Sequence, residues 1–297
     1  VFDYAPVSKR VVTSDELSSH QHDIGELLGA CKPTEKLVPF LGDQRKVLYH
    51  AGLLKFWVEK GVVITEVHNI WSYTQSPWMM EYIMGMARRR AESTDPIERE
   101  ILKKAMNSLY GKMLQDKTTQ RNMTPYTCVQ AFIRAASREN CIKFTVMQFD
   151  SPGVGFFGLV ETSKRNGPLL DMPRPAGLSI FDNSKLKMLR VHFDWFGSRV
   201  ELRAQVLMTD TDSLAYKVYC RCILAEMLRS TTVCFDLKEA ISPQDLLMLS
   251  DGDVDQAEAW SAKLKADKGK LGAMKLENTT SEIREFIGLA SKMYSFQ

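Results

Sequence analysis

The chain has 297 residues, of which 44% are hydrophobic and 25% charged, and its formal net charge is +3 at pH 7. These are ordinary globular values, so we expect one large domain or two smaller ones with a buried core. Such a small net charge permits a nucleic-acid partner without arguing for one. No run approaches the roughly 20 apolar residues of a membrane span, which excludes a membrane partner at this stage.

The six cysteines form no C-x-x-C pair. Cys220 and Cys222 are too close in sequence for an easy disulfide. We therefore expect free thiols and an intracellular, reducing compartment.

Short apolar runs near the start of the chain alternate with turn formers. Residues 36–41 and 46–50 are predicted to pair as a hairpin. An amphipathic helix that closes at a glycine is predicted over 53–61. Residues 62–68 then predict a further strand.

Two helices joined by a short turn are predicted between residues 77 and 111. The first carries the triplet R-R-R at 88–90. Three arginines suit either a solvated surface or contact with a triphosphate, whose charges Arg and Lys commonly bind. The second helix carries Lys103, Asn107 and Tyr110 at spacings of four and three, which puts them on one face. A charge, an amide and an aromatic ring on one face suit a nucleotide.

The pattern weakens beyond residue 115, where one helix is predicted over 129–137. Residues 174–181 are predicted to begin a further strand-to-helix unit, and its helix is predicted over 184–194. The stretch 209–213 then reads T-D-T-D-S between apolar runs, which predicts a β-hairpin with acidic residues at its tip.

The two aspartates of that tip, Asp210 and Asp212, can point to the same side because strand side chains alternate. Two such carboxylates repel each other unless a cation lies between them, and hard oxygen ligands suit Mg²⁺. An acidic turn with no metal is the alternative, since Asp and Thr are common turn residues.

The last part of the chain is less distinctive. Residues 241–270 are polar and charged, which predicts either a surface insertion or a helical linker. Strands are predicted over 271–277 and 283–289. Lys292 and Tyr294 then lie on one side of an extended segment, a pattern typical of an amphipathic edge or of a grip on a nucleic-acid backbone.

Two motifs together resemble those of family B DNA polymerases. K-x-x-x-N-S-L-Y-G stands at 103–111, and D-T-D-S follows about a hundred residues later. K-L-V-P at 36–39, Q-S-P-W at 75–78 and the segment 285–295 are similar to the protein-primed branch of organellar and viral enzymes. Within it, the chain looks most like the polymerases of Polinton/Maverick-type mobile elements.

The resemblance implies an α+β fold. Its palm would be an antiparallel sheet with packed helices, and it would carry a helical-hairpin fingers subdomain. The implied order is a palm-proximal segment with an insertion (1–70), fingers (71–118), palm with an insertion and the catalytic hairpin (119–240), and a palm end leading to the thumb (241–297).

The resemblance also implies roles for individual residues. Asp210 and Asp212 match the palm carboxylates that bind two catalytic Mg²⁺ ions, with Mn²⁺ as an alternative. Lys292 and Tyr294 match the K-x-Y motif that holds primer DNA. Nucleotide binding is implied for five residues of the fingers: Arg89, Arg90, Lys103, Asn107 and Tyr110.

The implied activity is DNA-directed DNA synthesis from dNTPs on a primer–template, with a terminal priming protein as a further partner. The family's first catalytic motif supplies another metal-binding Asp, and no D-x-x-S-L-Y-P string occurs in this sequence. We therefore expect a fragment of a longer polymerase, without its exonuclease domain and most of its thumb, that does not polymerise alone. The alternative is a catalytically dead, nucleic-acid-binding remnant of a mobile-element or viral polymerase.

Overall fold

The computed structural model describes residues 5–27, 29, 34–115, 121–147, 155–162, 172–277, 283–290 and 293–297. It contains helices and small, mostly antiparallel sheets, which confirms the expected α+β class. The chain divides into two compact units. The first unit combines Val1–Ser76 with Asp182–Gln297, and the second is Pro77–Phe181.

The first unit opens with β1 (Val7–Val12), α1 (Ser19–Leu27), β2 (Thr34–Pro39) and α2 (Ala51–Glu59). β2 pairs antiparallel with β1, so the hairpin predicted between 36–41 and 46–50 is wrong.

Residues 46–50 form no strand, and His50 is the N-cap residue of α2. The backbone N–H of His50 donates to the Asp182 carboxylate at 2.7 Å, and the His50 ring caps α2 by accepting from Gly52. Residues 62–68 have no regular secondary structure, so the strand predicted there is also wrong. Their β-branched residues favour a strand only where another strand lies alongside.

The second unit begins with α3 (Met80–Glu92) and α4 (Pro96–Met113), as predicted. Asp95 caps α4 by accepting from the Ile97 N–H at 2.9 Å, and Pro96 occupies the first turn. The helix continues through Gly111, where its end was predicted, and stops at Met113.

A three-stranded antiparallel sheet follows in this unit, in the order β3-β5-β4. Phe132 of the intervening helix packs with Val160 in its small core. The elements are β3 (Asn122–Tyr126), α5 (Val129–Ala136), β4 (Cys141–Met147) and β5 (Phe157–Thr162).

The division between the units falls inside α6 (Arg174–Arg190). Because residues 174–181 are already helical, the strand expected at the start of this strand-to-helix unit is wrong. A π-helical turn, Val191–Phe196, follows directly, and a 3₁₀ turn spans Val200–Leu202.

In the rest of the first unit, the described residues form three strand pairs and three helices. β6 pairs with β7 and β10 with β11, both antiparallel, whereas β8 and β9 are parallel. The elements are β6 (Gln205–Asp210), β7 (Ser213–Lys217), α7 (Ile223–Arg229), β8 (Phe235–Asp236), α8 (Pro243–Leu249), α9 (Val254–Asp267), β9 (Met274–Lys275), β10 (Phe286–Ala290) and β11 (Met293–Phe296).

The main core of the first unit comes from one continuous stretch of chain between residues 191 and 264. Trp195 is fully buried at its centre. α9 contributes Trp260 and Leu264, which are 4% and 3% exposed. Residues 241–270 are therefore helical but belong to the core, and the surface-insertion alternative is wrong.

Within the described ranges, no helix is both long and apolar enough to cross a membrane. The five cysteines that these ranges contain are free thiols.

Candidate functional site

The two predicted metal ligands lie at the tip of the hairpin formed by β6 and β7. Asp210 pairs with Ser213, which leaves Thr211 and Asp212 as a two-residue turn. Asp210 is half-buried and Asp212 is exposed. The Thr211 hydroxyl donates to Asp210 Oδ1 at 3.1 Å, and the Ser213 hydroxyl donates to the Asp210 carbonyl at 3.0 Å. The turn therefore orients the Asp210 carboxylate.

Thr211 has φ of 55°, in the left-handed region that β-branched residues rarely adopt. Such a conformation costs about 1–3 kcal/mol and persists only when the surrounding structure imposes it. Gly, Asn or Asp would fit this turn position with less strain. The hairpin thus keeps an unfavourable residue between its two carboxylates.

A β-bulge interrupts β6 between the base of the hairpin and its tip. Val206 pairs with Tyr216 and Asp210 pairs with Ser213, but Leu207 is an extra residue on β6 with no partner. An extra residue reverses the face of the strand residues beyond it. Because β7 has no extra residue, Ser213 lies three residues from Tyr216 and on the opposite face, and Asp210 shares the face of its partner Ser213. Tyr216 packs on the core, so Asp210 lies on the face away from it. The extra residue places Val206, rather than Leu207, beside Tyr216.

The donor set at the tip fits Mg²⁺ only in part. Across the described ranges, no group of three or more His, Cys, Asp or Glu side chains could hold a metal ion. The tip offers Asp210 and Asp212. Magnesium is often held by one or two protein carboxylates, with waters and substrate phosphates completing its octahedron. The two aspartates fit such a substrate-completed site and do not form a closed protein cage.

His192 and Phe196 hold the core-facing side of the hairpin, and the sequence analysis predicted neither residue. The Tyr216 ring stacks on Phe196, with ring centroids 4.0 Å apart, and its hydroxyl lies 3.0 Å from Nδ1 of His192. His192 and Phe196 both belong to the π-helical turn, and His192 is 7% exposed. π-Helical turns often occur at functional sites. The sequence pattern at 184–194 predicts an ordinary helix and gives no signal for this turn.

The predicted DNA-binding residues near the end of the chain are described only in part. β10 lies beside β6 in the first unit. Tyr294, on the partner strand β11, is 37% exposed and pairs with Gly288. Its ring stacks loosely on Phe286, with centroids 6.3 Å apart. Lys292 lies outside the described residues.

In the second unit, α4 presents Lys103, Asn107 and Tyr110 together. The helix is unbroken through all three, which therefore fall within roughly 60° of its circumference. Asn107 is exposed and Tyr110 half-buried. Lys103 Nζ lies 4.0 Å from the Glu100 carboxylate, and both side chains are about half exposed. An exposed pair this loose is weak, so Lys103 can exchange it for a stronger anion.

A cleft of about 500 Å³ opens on a different side of α4. Tyr82, Ser108, Lys112 and Gln115 line it, whereas the three predicted nucleotide-binding residues of α4 do not. Nine residues separate Lys103 from Lys112, which puts them on opposite faces of an ideal helix. The predicted nucleotide-binding face is therefore an open helix surface.

The two predicted phosphate-binding arginines of α3 are in different states. Arg89 Nε donates to Glu98 at 2.7 Å, and the Ser93 hydroxyl donates to the same carboxylate at 2.7 Å. These two contacts, with Ser93 the larger cause, hold the pKa of Glu98 below its usual range. Arg90 Nε is buried and has no hydrogen-bond partner among the described residues. An unpaired buried donor on a charged group is costly.

Glu98 is a residue that the sequence analysis missed. It stands three residues after Asp95, which caps α4. An acidic residue at this spacing is the sequence signature of a capping box, so a search for that signature could have singled it out.

Comparison of the chain with known protein families, with curated proteins and with solved structures finds no match in any of the three. A functional assignment therefore depends on the chain's own motifs and on the geometry described above.

Proposed function

We propose that the protein acts in template-dependent DNA synthesis, as a family B DNA polymerase of the protein-primed kind. Under this proposal the hairpin-bearing unit corresponds to a palm and the α3–α4 pair to fingers. The observation that carries the proposal is the ordered pair of motifs. One lies on a continuous helix face, and the other at a strained hairpin tip with two carboxylates.

The hairpin supplies metal ligands in this proposal. Asp210 is held by Thr211 on the face away from the core, and Asp212 is exposed, so both can bind a hydrated divalent cation. When bound, Mg²⁺ would activate the primer 3′-hydroxyl and neutralise charge on the leaving pyrophosphate. Tyr294, on the sheet beside β6, offers a ring to the sugar of a primer strand.

The second unit supplies the groups that bind a nucleotide. Lys103 can leave its weak pair with Glu100 for a phosphate, and Arg90 has an unpaired donor. Asn107 and Tyr110 lie on the same face as Lys103, where an amide and an aromatic ring can contact the sugar and base. A tyrosine ring at this point would exclude a ribose 2′-hydroxyl, as the family resemblance implies.

A second function, nucleic-acid binding without catalysis, is favoured by the charge distribution. Residues 77–181 contain 15 lysines and arginines against 10 aspartates and glutamates, a formal charge of +5. Because the whole chain carries +3, the remainder carries −2. A basic unit attracts phosphate backbones whether or not the hairpin binds metal.

Primer extension with Mg²⁺ and dNTPs distinguishes the two functions. The protein used is the gene product that contains this sequence in its full reading frame, compared with Asp212→Ala and with the control Asp43→Ala. Asp43 is an exposed loop residue of the same unit. We expect extension by the wild type and the control, and at least a roughly 100-fold lower rate for Asp212→Ala, as for loss of a group that acts directly in catalysis.

Extension that survives Asp212→Ala would contradict the proposal. A folded wild-type protein that binds primer–template but does not extend it would favour the binding function.

A further inference from the structure

We propose that His192 is a positioning residue for the two hairpin carboxylates, acting through Tyr216 and the bulge at Leu207. No motif in the sequence assigns it a role. The inference rests on the proposed function of the same hairpin, and it concerns how the hairpin tip is aimed.

The first step is the rigidity of His192. It is 7% exposed, in a π-helical turn that continues α6 without a break. The preceding residues of α6 are fixed as well, because Leu189 is 2% exposed and packs with Phe56 and Trp57 of α2. The His192 ring also meets Phe193 edge-on, with centroids 4.6 Å apart. The imidazole is therefore part of a well-packed platform.

The second step is the attachment of β7 to this platform. The Tyr216 ring lies against Phe196, and its plane is within 18° of that of His192. The hydroxyl is at hydrogen-bond distance, 3.0 Å, from His192 Nδ1. Stacking on Phe196 alone would allow the Tyr216 ring to shift parallel to the Phe196 ring. The hydrogen bond to His192 prevents that shift and fixes the position of the Tyr216 ring. A two-stranded ribbon is marginally stable alone, so such an anchor controls its position.

The third step connects the anchor to the bulge. Val206 pairs with the anchored Tyr216. Between this pair and the turn, β6 contributes the five residues 206–210 and β7 only the four residues 213–216. The extra residue, Leu207, has to be accommodated between the anchor and the tip. If Tyr216 were free, Leu207 could pair with it in a ladder without a bulge.

The fourth step is the effect on the tip. A bulge bends its strand and increases the local twist, so it sets the direction in which the strand end points. Loss of the bulge would re-aim Asp210 and Asp212 relative to the rest of the unit. Metal ligands need to be held within about 0.5 Å, and their supporting hydrogen bonds influence metal affinity strongly.

Four variants test this chain of contacts in the full gene product. His192→Leu and Tyr216→Phe remove the hydrogen bond, and His192→Gln keeps a side chain that can bond to the tyrosine hydroxyl. Val191→Ala is the matched control, because Val191 is buried in the same turn but has no polar or aromatic group to hold Tyr216.

The first readout does not need enzyme activity. Mn²⁺ binding is followed by the loss of the free-ion electron paramagnetic resonance signal, and exchange of the 205–217 amides by mass spectrometry. We expect His192→Leu and Tyr216→Phe to weaken Mn²⁺ binding about tenfold, as is typical for loss of a residue supporting a metal ligand, and to speed exchange. His192→Gln should recover most of the affinity, and Val191→Ala should match the wild type.

The second readout is the Mg²⁺ concentration that half-activates primer extension. It should rise by a similar factor in His192→Leu and Tyr216→Phe, while KM for dNTP stays unchanged. Tyr216→Phe keeps the ring and tests the proposal even if His192→Leu does not fold.

Asp212→Ala distinguishes failure of the positioning proposal from failure of the proposed metal site. If it abolishes Mn²⁺ binding while His192→Leu and Tyr216→Phe leave affinity and exchange unchanged, the positioning proposal is wrong and the metal site stands. If Asp212→Ala leaves Mn²⁺ binding unchanged, the metal site itself is wrong and the proposed function fails with it. If Val191→Ala and His192→Leu weakened Mn²⁺ binding equally, His192 would contribute only through packing, and the proposal would be overturned.

Discussion

The substitution Leu264→Ala tests whether the polar segment 241–270 contributes to the core of the first unit. Leu264 is 3% exposed on α9 and lies in the same core as Trp195 and Trp260. Truncating a buried leucine to alanine costs about 2–5 kcal/mol, because apolar contacts are lost and a cavity remains. Leu264 is almost fully buried, so we expect about 3 kcal/mol for Leu264→Ala, or a Tm lower by about 6–12 °C for a unit of this size.

The assay is urea unfolding followed by tryptophan fluorescence, with Leu271→Ala as the matched control. Leu271 lies seven residues further along and is 54% exposed. Its truncation should cost less than about 0.5 kcal/mol, as for most surface substitutions. If both variants lost the same small amount of stability, the packing of α9 into the core of the first unit would be refuted. A loss confined to Leu264→Ala would establish that the segment stabilises the unit that carries the hairpin.

Two further predictions concern the second unit. The Ser93 hydroxyl is the largest cause of the lowered pKa of Glu98, so this stabilisation is fully present above the unfolded-state pKa near 4.5. It is lost as the pH falls through the lower folded-state value. The melting temperatures of wild type and Glu98→Gln should therefore differ at pH 6, and the difference should shrink as the pH is lowered below 4.5. A difference that stays constant with pH would contradict the assignment. Gly158→Ala should destabilise by about 1–3 kcal/mol, because a Cβ there would overlap the Phe132 ring. Gly155→Ala, with open space around it, is the control in the same melts, and equal effects of the two would contradict the close packing.

The elements that carry the two motifs could be predicted because their signals are local. Asp95 and Pro96 mark the start of α4, and the apolar runs around 209–213 mark the hairpin. Strand partners could not be predicted in the same way. By sequence pattern, residues 36–41 could pair with 46–50 as well as with the β1 segment. In the structure the backbone N–H of His50 donates a hydrogen bond to the Asp182 carboxylate, 132 residues away, and such a long-range contact cannot be predicted from local pattern.

The position of Asp210 and Asp212 at a hairpin tip could be predicted, but the contacts that hold the hairpin could not. The apolar runs on either side of 209–213 were enough to place the two aspartates at a hairpin tip. The bulge at Leu207 was not predictable, because it depends on how many residues each strand contributes between an anchored pair and the turn. The role that we propose for His192 depends in turn on that anchored pair. Supporting contacts of this kind join distant segments and leave no periodicity in the sequence.

The discontinuous first unit has a consequence for synthesis on the ribosome. Leu53, Phe56 and Trp57 of α2 are buried in a cluster completed by Leu189, and the start of α2 is held by Asp182. At about 5–20 residues per second, translation reaches that carboxylate on the order of ten seconds after His50. During that interval α2 has a large apolar face with no covering. The nascent chain is therefore exposed to aggregation or chaperone binding at α2, whereas the core beneath the hairpin closes within one short stretch of translation.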